Sequence, residues 1–199
     1  MKNLIVNGTM NYITKYKDYD KVTLEELRYG LASIYLTFSK LIIISIIAII
    51  LGIFKEMITL LIVYNILRCV SFGLHASKSW ICLLSSTIIF IGGTLLCIYF
   101  KTNNYIIYIT ALLTIPIIYL YSPADTKKRP IVNPKRRKIY KYLSTSIAII
   151  FYLLALIIDN NFITNCLLLS LIIQSFVIHP LVYKLFKMPY DNYKNYKLN

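Results

Sequence analysis

Acidic side chains are scarce in this chain: 8 Asp+Glu stand against 22 Lys+Arg among 199 residues, and charges of both signs make up only 15% of it. Compact metal-ligand spacing is missing as well. The four cysteines fall at positions 69, 82, 97 and 166, with only two histidines, so there is no CxxC or other compact zinc pattern, and neither metal nor cofactor is expected. Residues 1–20 are polar and Tyr-rich and lack an apolar core with small residues after it, so no cleavable signal pattern is expected. No internal repeat is visible. Disorder is excluded too, because it requires low hydrophobicity alongside high net charge, and here a net charge of +14 accompanies 58% hydrophobic residues. A soluble domain this apolar would have to hide most of its side chains, yet a chain of this length buries only about two thirds of its unfolded surface. A bilayer resolves the conflict.

What the sequence does contain is a series of apolar runs: Leu36 to Phe54, Met57 to Leu67, Trp80 to Phe100, Tyr105 to Tyr121, Tyr142 to Ile158 and Phe162 to Tyr183. A helix crossing the hydrocarbon core needs roughly 20 residues. The expectation is an all-α, polytopic integral membrane protein with about six transmembrane helices, a single membrane domain over 1–199. The first four crossings fall in 36–121, a basic loop in 122–141, and the last two crossings and tail in 142–199. The short second run leaves open a four-crossing arrangement with re-entrant segments. Before the first crossing, Thr23-x-x-Glu26 reads as a capping box, and Leu24, Leu27, Leu31 and Ile34 follow at helical spacing. Residues 22–35 are thus an N-terminal amphipathic helix, lying at the interface or forming the start of the first crossing.

Lys and Arg in short loops stay on the cytoplasmic side. Residues 122–142 hold Lys127, Lys128, Arg129, Lys135, Arg136, Arg137, Lys138 and Lys141 against Asp125 alone, a net +7 and half of the chain's excess. The tail adds Lys184, Lys187, Lys194 and Lys197 against Asp191, whereas the connections near Lys55, Lys101 and Asp159 are short and nearly neutral. The expected location is therefore the cell membrane, with the basic loop, both termini and residues 68–79 on the cytoplasmic side. Cations confined to one juxtamembrane loop do not suit nucleic acid, so the bilayer is the expected partner instead. Pro123, Pro130 and Pro134 argue for an irregular, shaped loop rather than a plain solvated helix.

Most of the reactive side chains belong to packing. Cys97 and Cys166 sit inside apolar runs, where a thiol behaves as a small hydrophobe, and His179 stands beside Pro180 as a packed or satisfied interfacial histidine. The exception is the stretch from Arg68 to Cys82, which gathers Cys69, His75 and Cys82 at the expected membrane edge, where polar groups are costly and tend to be functional. A neighbouring Cys and His can act as nucleophile and general base. On a continuous helix His75 and Cys82 would lie roughly 10 Å apart along the axis, too far for a hydrogen bond of about 3 Å. The chemistry thus requires a break, with His75 on a loop and Cys82 in the first turns of the next crossing, where the helix N-terminus favours a thiolate. Cys69 is a competing nucleophile. Arg68 reads either as a snorkelling anchor or as a ligand for a carboxylate near the dyad, and Asp125 either as an organiser of its loop or as a third catalytic group.

Taken together, Arg68-x4-Gly73-x-His75-Ala76-x5-Cys82, followed by Pro123-x-Asp125-x4-Pro130-Ile131 and a basic cluster, resembles the accessory gene regulator protein B (AgrB) peptidases of Gram-positive quorum sensing. The resemblance covers essentially the whole chain. One departure is Phe72, where many members carry a second Gly. The resemblance implies a membrane cysteine endopeptidase that cleaves the acidic C-terminal tail from an AgrD-type precursor peptide, with Cys82 as nucleophile and His75 as base and acid. Arg68, Gly73 and Asp125 would support the site. An acyl-enzyme thioester would then close into a thiolactone or lactone autoinducing peptide. The net +7 loop suits the acidic tail, which makes Lys127, Lys128, Arg129, Lys135, Arg136, Arg137 and Lys138 candidate tail-binding residues; a homodimer is left open. The competing readings are a transporter or exporter of a small peptide without proteolysis, and a membrane adaptor whose basic loop binds lipid or a partner.

Overall fold

A computed structural model describes residues 2–16, 19–74, 79–126 and 131–195. Every regular element among them is helical. The chain divides into two compact units, Met1–Gly52 and Ile53–Asn199.

The first unit holds α1 (Lys2–Tyr16) and α2 (Lys21–Ile50). Nothing in the polar opening of the sequence foretold α1, which packs on α2 and buries Val6 and Met10. Arg28 Nη2 donates to Asn7 Oδ1 at 2.8 Å across the pair. The expected amphipathic segment 22–35 is not a separate element: α2 runs without interruption through residue 35 to Ile50, since nothing there stops the helical hydrogen bonds. Its cap is Asp20, which accepts from Thr23 N–H at 3.3 Å, one turn before the expected capping box; the Glu26 side chain lies outside the described residues.

The second unit is built around α8 (Asn161–Ile178), which packs against α3 (Phe54–Ser71), α5 (Gly93–Tyr99), α6 (Asn104–Tyr121) and α7 (Pro134–Ile157). Leu67, Ile107, Ile118, Ala148, Phe151, Leu167, Leu168, Leu171 and Ile178 form the core. On α7 the inward stripe is Ser144, Ala148, Phe151 and Ala155, at spacings of four, three and four residues; its small members let the backbones approach. The third apolar run is α4 (Ser79–Thr87), a π-helical segment at Ile88–Gly92, and α5 in succession. A short α9 (Pro180–Leu185) and a 3₁₀ turn (Asn192–Asn195) are the last described elements. Asparagines open three helices in a row: Asn103, Asn133 and Asn160 each accept from a first-turn N–H.

Five helical stretches are long and apolar enough to cross a membrane: α2, α4 through α5, α6, α7 and α8. Their outward faces expose Ile109, Leu112, Leu113 and Leu120 on α6 and Ile150, Leu153 and Ile157 on α7, more contiguous apolar surface than water tolerates. The molecule is a polytopic membrane protein. The doubtful second run is α3, as long as α6 and α8 at 18 residues but carrying Lys55, Glu56 and Arg68 toward its ends. Pro134 does not keep the loop irregular through residue 141. It occupies the first position of α7, where its fixed φ suits helix and its missing N–H costs nothing, so Lys135 to Lys141 are helical.

One end of α8 fastens the α5–α6 connection. Asn165 Nδ2 donates to the Cys97 and Phe100 carbonyls (3.0 and 2.7 Å), Asn161 Nδ2 donates to the Phe100 carbonyl at 2.5 Å, and Thr102 N–H donates to Asn161 Oδ1 at 2.9 Å. Asn165 is buried, so losing it orphans those carbonyls. Asn165→Leu is expected to destabilise the protein by about 1–3 kcal/mol, read as a lower unfolding midpoint in detergent; an unchanged midpoint would show the clamp to be idle.

Candidate active site

α3 ends at Ser71 and residues 72–74 leave the helix, so the chain breaks from helical register just before position 75; the described part of α4 runs from Ser79. His75 and its neighbours through Lys78 lie outside the described residues. The turn leading up to them is held from three sides.

The first side is α3 itself. Arg68, in its last turn, is favourably placed for the helix dipole. Its Nη1 donates to the Phe72 carbonyl at 2.6 Å, and its Nη2 to the carbonyls of Leu74 at 2.6 Å and Gly73 at 3.4 Å. Of the two roles open to Arg68 from sequence, neither describes this geometry. The guanidinium fork binds backbone oxygens and wraps the turn around itself. The second side is the segment after α6: Gly73 N–H donates to the Ala124 carbonyl (2.8 Å) and Ala124 N–H to the Ser71 carbonyl (3.0 Å), an isolated parallel bridge. The third is the end of α8, where the Val177 carbonyl accepts from Leu74 N–H at 3.2 Å and Gln174 Nε2 donates to the Phe72 carbonyl at 2.8 Å.

So tight a turn demands unusual backbone. Gly73 has φ +116°, and a Cβ there would stand 2.6 Å from Arg68 Nη1, 3.1 Å from Val177 and 3.2 Å from Ile178. Only glycine fits. Phe72 also has positive φ, at 58°, a strained state for a side-chain-bearing residue that explains why glycine suits this position in the resembling family. Its ring packs edge-on to Tyr140 of α7 at 5.1 Å, which offsets part of that strain.

Cys82 lies on α4 and is half-buried; its carbonyl accepts from Ser85 Oγ at 3.1 Å. No residue of α4 is fully buried, so this short helix stands apart from the core that α5 joins. Cys69, the competing thiol, is exposed on α3, while Cys97 and Cys166 are fully buried. His179 caps α9, its Nδ1 accepting from Leu181 N–H at 3.2 Å, with its ring against Tyr121. Among the described residues no cluster of His, Cys, Asp and Glu is suited to a metal ion.

Asp125 is buried and its carboxylate is occupied by the chain itself. Oδ1 accepts from Asn192 N–H at 3.0 Å, and Oδ2 accepts from Tyr193 N–H at 3.0 Å and Ile131 N–H at 3.4 Å, with Arg137 Nη1 at 3.5 Å. Arg137 also stacks on the Tyr193 ring, 3.5 Å from its centroid. The pair fastens the C-terminal tail to the loop after α6. In that tail, burial first and the Asp191 charge second push the Tyr190 phenol up to about 12. Of the seven candidate tail-binding cations, Lys127, Lys128 and Arg129 lie outside the described residues. Lys135, Arg136 and Lys138 are exposed in the first turns of α7, and Arg137 is committed to Asp125 and Tyr193.

Sequence reasoning missed Ala124, Gln174 and Val177 as builders of the turn. Gln174 had a signal: an amide deep in an otherwise apolar run is costly. The other two act through main-chain groups and had none. Gly73→Ala is expected to expel the Arg68 guanidinium, and Arg68→Lys to lose the fork that reaches three carbonyls. Each should cost about 1–3 kcal/mol, seen as a lower unfolding midpoint in detergent, whereas Cys69→Ser should leave the midpoint in place.

The accessory gene regulator B profile matches residues 6–178. An AgrB-like protein of Clostridium acetobutylicum is 29% identical over 185 residues, 93% of this chain and 88% of its own. Another AgrB-like protein, from Listeria innocua, is 31% identical over 183 residues, covering 92% and 89%. The accessory gene regulator protein B of Staphylococcus aureus is 31% identical over 173 residues, covering 86% and 91%. No solved structure matches. A profile match across most of the chain, and relatives matched along nearly their full length, place it plainly: the chain belongs to the accessory gene regulator B family.

Proposed function

We propose that this chain is a membrane cysteine endopeptidase of quorum sensing, which removes the C-terminal tail of an AgrD-type precursor and promotes its cyclisation. The observation that carries the reading is the turn after α3, which Arg68, Ala124 and α8 hold in place just before His75, with Cys82 half-buried on the next described helix.

In the proposed reaction His75 takes the proton from Cys82 Sγ, and the thiolate attacks the carbonyl at the cleavage site. His75 returns the proton to the leaving amine, the C–N bond breaks, and the acidic tail departs. The remaining acyl thioester keeps the activation needed for a second transfer. A Cys or Ser within the peptide attacks it, Cys82 leaves, and a thiolactone or lactone ring closes. Water must be kept from the thioester for cyclisation to win, and a site at the membrane edge favours that.

The charge map supports the substrate side of the reading. Lys135, Arg136 and Lys138 stand exposed at the N-terminus of α7, where cations oppose the helix dipole and cost stability. An acidic tail would neutralise them, with Lys127, Lys128 and Arg129 beside them in the sequence. By the positive-inside rule this loop and the dyad face the cytoplasm.

Co-expression with the short peptide encoded beside this chain's gene, followed by mass spectrometry, tests the proposal. Cys82→Ala and His75→Ala are each expected to abolish cleavage of the precursor without loss of membrane insertion. A conduit that moved the peptide uncut would be indifferent to Cys82, so robust processing by Cys82→Ala would sink the peptidase. Charge reversal at Lys135, Arg136 and Lys138 together is expected to weaken precursor binding by about tenfold or more at low ionic strength and by less in high salt. Binding that ignores both would remove the electrostatic dock while leaving the dyad standing.

A further inference from the structure

We propose that Gln174 is a positioning residue of the active site, tethering from α8 the peptide segment that immediately precedes His75. This rests on the peptidase reading above and goes beyond it, since Gln174 lies 102 residues from Phe72 in sequence and belongs to no motif of the site.

Gln174 is fully buried within α8, an apolar crossing helix. Its Nε2 donates to the Phe72 carbonyl at 2.8 Å, while its Oε1 has no hydrogen-bond partner among the described residues. An amide buried with one end unpaired is destabilising compared with an apolar side chain of the same size. Its bond is not needed to satisfy the acceptor either. The Phe72 carbonyl already receives Arg68 Nη1 at 2.6 Å. What Gln174 adds is a second direction of restraint. Arg68 reaches the turn from the helix that precedes it in the chain and moves with it; Gln174 reaches it from α8, the element on which the core is built.

The tether is doubled one turn further along α8. Val177 takes the Leu74 N–H at 3.2 Å, and Val177 and Ile178 form the wall against which Gly73 is pressed. Phe72 and Gly73 both hold positive-φ backbone, which persists only where the surroundings over-determine it. Gln174 is the one side chain of α8 that donates to this turn among the described residues. Since His75 is covalently the next residue after Leu74, a turn free to shift along α8 would carry the base out of line with Cys82. Misplacement by about 1 Å is enough to cost a reaction roughly a hundredfold.

Gln174→Met separates positioning from packing, because methionine keeps the volume while removing both the tether and the unpaired oxygen. In the full chain, reconstituted in lipid nanodiscs, its melting temperature is expected to equal or exceed that of the wild type. Cleavage of the co-encoded precursor should nonetheless fall about tenfold or more in kcat, with KM little changed. A substrate-free readout goes with it: the pH dependence of Cys82 alkylation by iodoacetamide, followed on the Cys82 peptide by mass spectrometry. The Gln174→Met profile is expected to shift from that of the wild type toward that of His75→Ala. Wild-type kcat and a wild-type alkylation profile in Gln174→Met overturn the inference. So does a fall in activity matched by a fall in melting temperature, which is the mark of a packing role. If His75→Ala itself leaves alkylation and cleavage unchanged, the dyad fails and takes this inference with it, a result visible before any Gln174 variant is made.

Discussion

A guanidinium offers five N–H donors in a rigid plane and needs acceptors wherever water is sparse. In this protein the acceptors that meet Arg68 are the carbonyls of Phe72, Gly73 and Leu74, and the geometry of the candidate site follows from that choice. Three carbonyls converge on one cation only if the chain doubles back at the end of α3. That reversal needs positive φ at two consecutive residues, and the space occupied by Arg68 Nη1 rules out a Cβ at the second. The turn that ends α3 is thus the solvation shell of a charge.

The helix that makes this possible is α8, which carries polar side chains at both ends and an apolar surface between them. Asn161 and Asn165 grip the connection around Phe100, while Gln174 and the Val177 carbonyl grip the turn around Phe72. Roughly 20 Å of helix separates the two grips. Buried polar groups are expensive in such a helix and are tolerated where they take up main-chain groups that have left regular structure. Asp125 does the same work outside the bundle: it collects the N–H groups of Ile131, Asn192 and Tyr193, and Arg137 balances its charge. One of the cations that read as a substrate dock is therefore internal mortar.

The membrane class was legible because apolar runs near 20 residues leave few alternatives, and the basic loop stood out because half the excess charge sits in it. Helix geometry also asked for a break between His75 and Cys82, but residues 75–78, where it would fall, lie outside those described. Other features were hidden for identifiable reasons. A polar, weakly patterned segment gave no sign of α1, whose stability comes from packing on α2. Pro134 looked like a loop residue, yet proline is equally at home in the first turn of a helix. Arg68 read as a snorkelling anchor or a carboxylate ligand, since side chains can be counted in a sequence and converging carbonyls cannot. Ala124 and Val177 contribute only backbone atoms, which every residue has.

The π-helical segment at Ile88–Gly92 sets the two halves of one crossing out of phase. Its wider turn inserts about one residue's rotation, roughly 100°, so the face that presents Cys82 does not continue into the face by which Gly93, Thr94 and Cys97 are anchored. The two halves are held differently: no residue of 79–87 is buried, while residues 93–99 are held by the close approach of Gly93 to Leu60 and Leu169. A single-residue insertion or deletion inside the π segment would turn residues 79–87 about their own axis, Cys82 with them, while Gly93, Thr94 and Cys97 keep their seats.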